Sequence, residues 1–176
     1  MKPKKINYKI IMKKRIALCG QICSGKSYYA KKISECGNFK IISFAGKIKH
    51  FCKEIFGMNF KDRKLLINFA EKMKQIDENV WINLVKNDIV DNDCIVIDDL
   101  RFKNEYEFLK RYNFMIVKID IDSQILSERI KKLYKTNYMD HINALSGESE
   151  NTFKSFDVDF IIKNDEDFEI LKSMIC

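Results

Sequence analysis

One octapeptide near the beginning of the chain has residue types that bind phosphate, Gly20-Gln-Ile-Cys-Ser-Gly25-Lys26-Ser27. It fits the pattern G-x-x-x-x-G-K-[ST], whose glycines let successive backbone N–H groups point at phosphate oxygens. In this pattern the lysine reaches the β and γ phosphates, and the serine hydroxyl binds Mg²⁺. The octapeptide therefore predicts a site for a nucleoside triphosphate with Mg²⁺. The expected residues are Gly20, Gln21, Ile22, Cys23, Ser24, Gly25, Lys26 and Ser27.

The alternative is a glycine-rich turn that carries Lys-Ser by chance. The flanking sequence disfavours it, because an apolar run from Arg15 to Cys19 precedes the octapeptide and a helical pattern begins at Lys26. A strand before the loop and a helix after it are the context that this pattern requires. The chain has no N-K-x-D tetrapeptide for guanine and is too short for a helicase or an ABC module, which leaves the small kinases.

A second group of polar side chains follows the apolar run Cys94-Ile-Val-Ile97. Asp98 and Asp99 come directly after this run, and Arg101 follows them. A buried strand that ends in carboxylates places them at the carboxyl edge of a parallel sheet, where open α/β sheets bind ligands. One of the two carboxylates can hold Mg²⁺ through water, for which we take Asp98 together with Ser27. The other can bind acceptor hydroxyls, and Arg101 can bind a phosphate. The alternative is an Asp-Asp turn in which Arg101 pairs with a nearby acid.

Strand and helix patterns alternate along the chain, which predicts a three-layer α/β/α fold with a parallel sheet. Apolar runs predict strands over 15–19, 39–44, 94–97, 114–119 and 158–162. Helical spacing predicts helices over 26–36, 45–56, 62–75, 78–90, 103–112, 123–134 and 166–175. Residues 135–156 are polar and are expected to be irregular. The whole chain, 1–176, is expected to form one domain after a basic leader, 1–13.

The helix predicted after Ser123 is strongly basic. It carries Arg129, Lys131 and Lys132, and Lys135 follows them. Such a charge run is ordinarily a solvated face. A kinase, however, needs a movable source of positive charge that closes over the phosphates and excludes water. Residues 123–155 are therefore predicted to form a lid, in which Arg129 is the catalytic cation.

Composition limits the classes of protein to which the chain can belong. The formal net charge is +7 and the sequence pI is about 9.0, which favours anionic partners without choosing among nucleotides, nucleic acid and lipid. The six cysteines contain no C-x-x-C pair, so we expect buried free thiols in a reducing compartment rather than a zinc site or disulfides. Apolar runs are too short to span a membrane, and the leader does not resemble a signal peptide. A cytoplasmic protein is expected.

Several motifs, taken in order, resemble the deoxynucleoside monophosphate kinases of the phage and virus type, within the P-loop nucleoside monophosphate kinase superfamily. The resemblance covers about Arg15 to Cys176, and only the phosphate loop is specific by itself. The other matching segments are Phe44-Ala-Gly-Lys-Ile-Lys, Arg63-Lys-Leu-Leu, Val80-Trp81-Ile82, Asp99-Leu-Arg101-Phe-Lys-Asn104-Glu105, Ser149-Glu150, and Asp157 with Ile162-Lys-Asn164.

This resemblance implies a mostly five-stranded parallel sheet, a helical acceptor-binding region over about 45–92, and a lid. It implies transfer of the γ-phosphoryl of ATP to a (deoxy)nucleoside monophosphate, with Mg²⁺. Lys26, Arg101 and Arg129 would be catalytic, and Asn164 would lie near the donor base. The implied acceptor-binding residues are Arg63, Trp81, Asp99, Arg101 and Glu105.

Some points stay open at this stage. A lone tryptophan on a helix is more often core than ligand. His141 stands farther from Ser149 than the family's histidine does, and lysine, either Lys72 or Lys74, replaces a second arginine of the third helix. The preferred base, the sugar and the oligomeric state, including a homodimer, are also open.

Two other classes of function compete with the nucleotide kinase. A related P-loop kinase could use phosphomevalonate or dephospho-coenzyme A as its acceptor. A basic P-loop ATPase that binds nucleic acid is a different class, which the charge of +7 favours. The basic residues are spread along the chain without an aromatic-basic binding motif, so no stable nucleic-acid partner is expected.

Overall fold

Five strands in the described part of the chain form one parallel sheet, as the alternating pattern predicts. The computed structural model describes residues 14–60, 62–147 and 150–176; the expected leader, 1–13, and Ser149 lie outside them. The strand order is β2-β3-β1-β4-β5. The strands are β1 (Lys14–Cys19), β2 (Lys40–Ile42), β3 (Cys94–Leu100), β4 (Met115–Ile119) and β5 (Phe160–Ile162).

Helices connect the strands and cover both faces of the sheet, which confirms the three-layer α/β/α fold. Three of them lie between β2 and β3, in the region predicted to bind the acceptor. No helix among residues 14–60, 62–147 and 150–176 combines the length and the apolar character needed to cross a bilayer. The helices are α1 (Lys26–Gly37), α2 (Phe44–Phe56), α3 (Arg63–Ile76), α4 (Val80–Val90), α5 (Lys103–Arg111), α6 (Ser123–Leu133), α7 (Tyr138–Asn143) and α8 (Asp165–Ile175).

Alternate residues of the central strand β1 point into two separate cores. Ala17 and Cys19 belong to the core that the sheet forms with α2, α4 and α5. Ile16 and Leu18 belong to the core formed with α1 and α8. Because β1 is covered on both faces, it is continuously apolar rather than alternating. These two cores hold the carboxyl edge of the sheet rigid, and the predicted site lies at that edge.

Two expectations from the sequence are wrong. Residues 135–156 are not irregular throughout, because their described part contains α7 and short 3-10 turns, among them Ala144–Ser146 and then Thr152–Ser155. Phe153 of the second turn is buried in the core, an apolar anchor within a polar stretch.

The cysteines are not all free thiols either, since Cys36 at the end of α1 is disulfide-bonded to Cys176 at the end of the chain. The two cysteines are 140 residues apart in sequence, so no local sequence pattern indicates that they pair.

Candidate active site

The phosphate loop connects β1 to α1 through two glycines with positive φ. Gly20 has a φ of +145°, and a Cβ there would lie 2.6 Å from the carbonyl oxygen of Ile119. Gly25 has a φ of +107° and immediately precedes α1. Side chains are disfavoured at such angles, so glycine permits both the sharp exit from β1 and the curl into the helix. The N–H groups of the first helical turn have no partners within α1 and point at the loop, where an anion can bind.

Lys26 lies beneath this loop and is buried. Its Nζ donates hydrogen bonds to the carbonyl oxygens of Gly20 and Gln21, each at 2.7 Å. Burial, together with repulsion from the Arg101 guanidinium, lowers the pKa of Lys26 to about 8. Glu150 and Asp99 oppose that shift. The ammonium group is therefore charged at neutral pH and available to a phosphate.

Ser27 and Asp98 meet because β3 is the neighbour of β1 in the sheet. The Ser27 hydroxyl donates a hydrogen bond of 2.9 Å to Oδ2 of Asp98. The other carboxylate oxygen, Oδ1, is buried without a hydrogen-bond partner among the described residues. A hydroxyl beside a carboxylate with an unused oxygen is a donor set that suits Mg²⁺. The two residues fit the metal site expected of them.

Arg129 reaches the same loop from α6, which begins after its N-cap Asp122. Its Nη1 donates to the carbonyl oxygens of Cys23, at 3.4 Å, and Ser24, at 3.2 Å. The side chain is otherwise exposed. An arginine held over the loop by carbonyl contacts alone can turn toward an arriving phosphate without breaking an ion pair. This placement suits the lid cation predicted from the sequence.

Asp99 holds the start of α2. Its carboxylate accepts hydrogen bonds from the backbone N–H groups of Phe44 and Ala45 and from the Ser43 hydroxyl, at 2.7 to 3.0 Å. Burial raises the pKa of Asp99 in spite of these donors. Asp99 thus fixes the helix at the entrance of the acceptor region. A role in binding the acceptor itself stays a prediction.

Glu105 has a similar structural task at the start of α5. Its carboxylate accepts from the backbone N–H groups of Arg101 and Phe102, at 2.9 and 3.0 Å. Burial raises the pKa of Glu105 to about 7. The contact fixes the backbone on which the Arg101 side chain is mounted.

Two further predicted residues also have structural partners. Trp81 is buried in the core, and its Nε1 donates to the carbonyl oxygen of Ala70 at 3.3 Å, although part of the residue borders the cavity described below. Asn164 caps α8 by accepting from the N–H of Asp167. Asn164 is not among the residues that line the cavity, so its role near the donor base remains a prediction.

Arg63, at the start of α3, contacts the segment predicted to form the lid. Its Nη1 lies 2.5 Å from Nδ1 of His141, a buried residue of α7. The His141 ring in turn stacks on Tyr134, with ring centroids 3.5 Å apart. Through Arg63, His141 therefore contacts the region predicted to bind the acceptor, a contact that sequence spacing alone left open.

One cavity of about 1160 Å³ brings the predicted residues together. It extends from the phosphate loop to the helices between β2 and β3. Of the two lysines left open by the sequence, Lys74 lines it and lies over the Phe102 ring at 3.7 Å, whereas Lys72 does not line it. The predicted residues on its wall are Ile22, Cys23, Gly25, Lys26, Ser27, Arg63, Trp81, Asp98, Asp99, Arg101, Glu105 and Arg129.

Comparisons with known proteins agree with this geometry. A family described as AAA domain matches residues 16–151 of the chain. No curated protein matches the sequence.

Solved structures share the α/β P-loop kinase fold at low identity, each with a TM-score of 0.57. A putative kinase from Chloroflexus aurantiacus is 11% identical, over 93% of this chain and 94% of that chain. Shikimate kinase from Bacteroides thetaiotaomicron is 14% identical, over 92% and 97%. A gluconokinase from Sinorhizobium meliloti is 14% identical, over 93% and 94%.

Proposed function

The chain belongs to the AAA domain family, and on that premise we propose that it is a deoxynucleoside monophosphate kinase. It would transfer the γ-phosphoryl group of ATP to a (deoxy)nucleoside 5′-monophosphate and release two diphosphates. The observation that carries this proposal is one cavity that is lined by the phosphate loop, by helices α2 and α3 and by two further arginines, Arg63 and Arg101. Such a cavity suits a donor and an acceptor that both bear phosphate.

The part of the cavity wall that we assign to the acceptor contains two arginines and several apolar side chains. Arg63 and Arg101 supply planar guanidinium groups, which bind a phosphate through two hydrogen bonds. Apolar side chains of α2 and α3 form the adjoining wall, among them Ile48, Leu66 and Ile67. A flat heteroaromatic base gains from burial against such a wall.

The chemistry requires positioning and charge neutralisation more than a strong base. An oxygen of the acceptor phosphate attacks the γ-phosphorus, and the bond from that phosphorus to the β–γ bridging oxygen breaks. ADP leaves with the electron pair. Lys26 and Arg129 reduce the cost of the negative charge on the transferring group, while Arg101 holds the acceptor phosphate. Mg²⁺ bound by Ser27 and Asp98 would supply further positive charge at the donor phosphates.

A coupled assay of ADP release with Mg-ATP tests the proposal directly. The acceptors are dTMP, dGMP, dCMP, dAMP, their ribonucleotide forms, phosphomevalonate, dephospho-coenzyme A, shikimate and gluconate. Turnover on at least one nucleoside monophosphate, above the rate with ATP alone, is expected. Turnover confined to the other four acceptors would assign the chain to a different small-molecule kinase, and would refute the proposal.

A further inference from the structure

Glu150 is a buried carboxylate that touches both the phosphate loop and an arginine of the cavity. One oxygen, Oε2, accepts a hydrogen bond of 2.6 Å from the backbone N–H of Ile22. The other, Oε1, forms an ion pair with Nη1 of Arg101. The Glu150 side chain is 4% exposed, whereas that of Arg101 is 30% exposed. Burying a carboxylate has a high free-energy cost unless the charge is fully paired. We therefore expect Glu150 to have a role at the loop.

The segment that carries Glu150 is itself held in place. Asn151 donates hydrogen bonds to the carbonyl oxygens of Leu145 and Gly147, at 2.9 and 2.8 Å. Phe153 and Phe156, which follow, are both buried in the core. The residues that follow Glu150 are thus held by hydrogen bonds and by two buried aromatic side chains.

We propose that Glu150 is a positioning residue that holds the Arg101 guanidinium beside the phosphate loop, in the orientation in which it binds the acceptor phosphate. This inference rests on the proposed kinase function. Glu105 fixes the backbone of Arg101, but the long Arg101 side chain can still adopt several orientations. The ion pair with Glu150 restricts the orientation of the guanidinium group. Because Glu150 also accepts a hydrogen bond from Ile22, that orientation is fixed relative to the phosphate loop.

The first experiment compares Glu150→Gln with Glu107→Gln as a matched control. Glutamine keeps the shape of the side chain and can still accept from Ile22, but it cannot pair the charge of Arg101. We expect kcat with the best nucleotide acceptor to fall about 10- to 100-fold while the KM for ATP changes about threefold or less. Glu107 is an exposed residue of α5 paired with Lys103, so its variant should match the wild type.

A double-mutant cycle with Arg101→Ala separates positioning from a general loss of structure. If Glu150 acts through Arg101, Glu150→Gln should lower kcat much less when Arg101 is already absent. An equal loss in both backgrounds would overturn the proposal. So would an unchanged kcat of the single variant.

Nucleotide binding gives a readout that does not depend on turnover. In Glu150→Gln the Kd of a nucleoside monophosphate should increase about tenfold, while the Kd of the analogue AMP-PNP with Mg²⁺ should change about threefold or less. The increase for the monophosphate should be much smaller when Arg101 is already replaced by alanine. An equal increase in both backgrounds would contradict the role of Glu150. If the wild type binds both nucleotides but transfers no phosphoryl group, the proposed function fails, and this titration still decides the role of Glu150.

Discussion

Lys26 and Glu105 are buried ionisable residues whose pKa values shift in opposite directions for the same reason. Burial disfavours the charged form of each side chain, which lowers the pKa of Lys26 to about 8 and raises that of Glu105 to about 7. Both values lie close to neutral pH. At the scale of single residues, therefore, modest changes of pH alter the charge of the site and the stability of the protein.

Substitution of Lys26 tests the phosphate loop. Lys26→Ala removes the cation beneath the loop, and we expect kcat to fall by about two orders of magnitude or more. The fold should persist, since the remaining hydrogen bonds of α1 are unaffected. Steady-state assays and circular dichroism provide the measurements. Lys31→Ala, on the exposed face of the same helix, is the control; equal activity of the two variants would contradict the role of Lys26.

Glu105 should make stability depend on pH. Its folded-state pKa is raised above the unfolded value, so its contribution is fully present below about pH 4.5 and is lost as pH rises through about 7. The loss amounts to about 3 kcal/mol at most, from a shift between these two values. Urea unfolding between pH 4.5 and 8 should show a decline in the wild type that is weaker in Glu105→Gln. Parallel curves for the two proteins would contradict this account, and Glu107→Gln should follow the wild type.

At the scale of elements, the side chains at the carboxyl end of β3 line the cavity. They also form hydrogen bonds that hold the neighbouring loop and helix in place. Asp98 and Asp99 are adjacent in sequence, yet one contacts the phosphate loop and the other caps α2. The sequence placed both at the sheet edge because a buried strand precedes them. It could not assign their partners, since these come from segments about 70 and 55 residues away.

Arg129 should be the side chain of helix α6 that stabilises the transferring phosphoryl group. For Arg129→Ala we expect kcat to fall about 100-fold, more than any rise in acceptor KM, because the charge acts on the transferring group. Lys131→Ala, also on α6 but away from the cavity wall, should retain wild-type kinetics. A change confined to acceptor KM would show that Arg129 is not the lid cation.

At the scale of the whole molecule, the strand order explains why the site forms where it does. β1 lies between β3 and β4, so the loop after β1 faces the residues that follow both neighbours. Asp98 and Arg101 come after β3, and Arg129 is carried by the helix after β4. A parallel sheet brings these connections to one edge, which is why residues far apart in sequence share one cavity.

The Cys36–Cys176 disulfide should stabilise the whole chain. A cross-link over a long loop restricts the unfolded chain, and its loss typically costs about 2 to 4 kcal/mol. We expect reductant to lower the urea midpoint of the wild type, and Cys36→Ser to unfold at the reduced midpoint whether or not reductant is present. Coincident unfolding of oxidised and reduced wild type would contradict this prediction.

The sequence by itself determined the fold class, the order of the strands and of every helix except α7, and the phosphate loop. Each of these depends on local information: apolar runs, helical spacing, and glycines at positions that need positive φ. The octapeptide from Gly20 to Ser27 was recognisable for this reason.

Only the tertiary structure decided which side chains act on one another. It placed Asp99 at the start of α2 and Arg63 beside His141, and it joined Glu150 to Ile22 and Arg101. Each partnership between distant segments depends on the packing of the sheet and helices, which no local pattern records. Burial decided the charge states in the same way, since the pKa of Lys26 follows from what surrounds it rather than from its place in the motif.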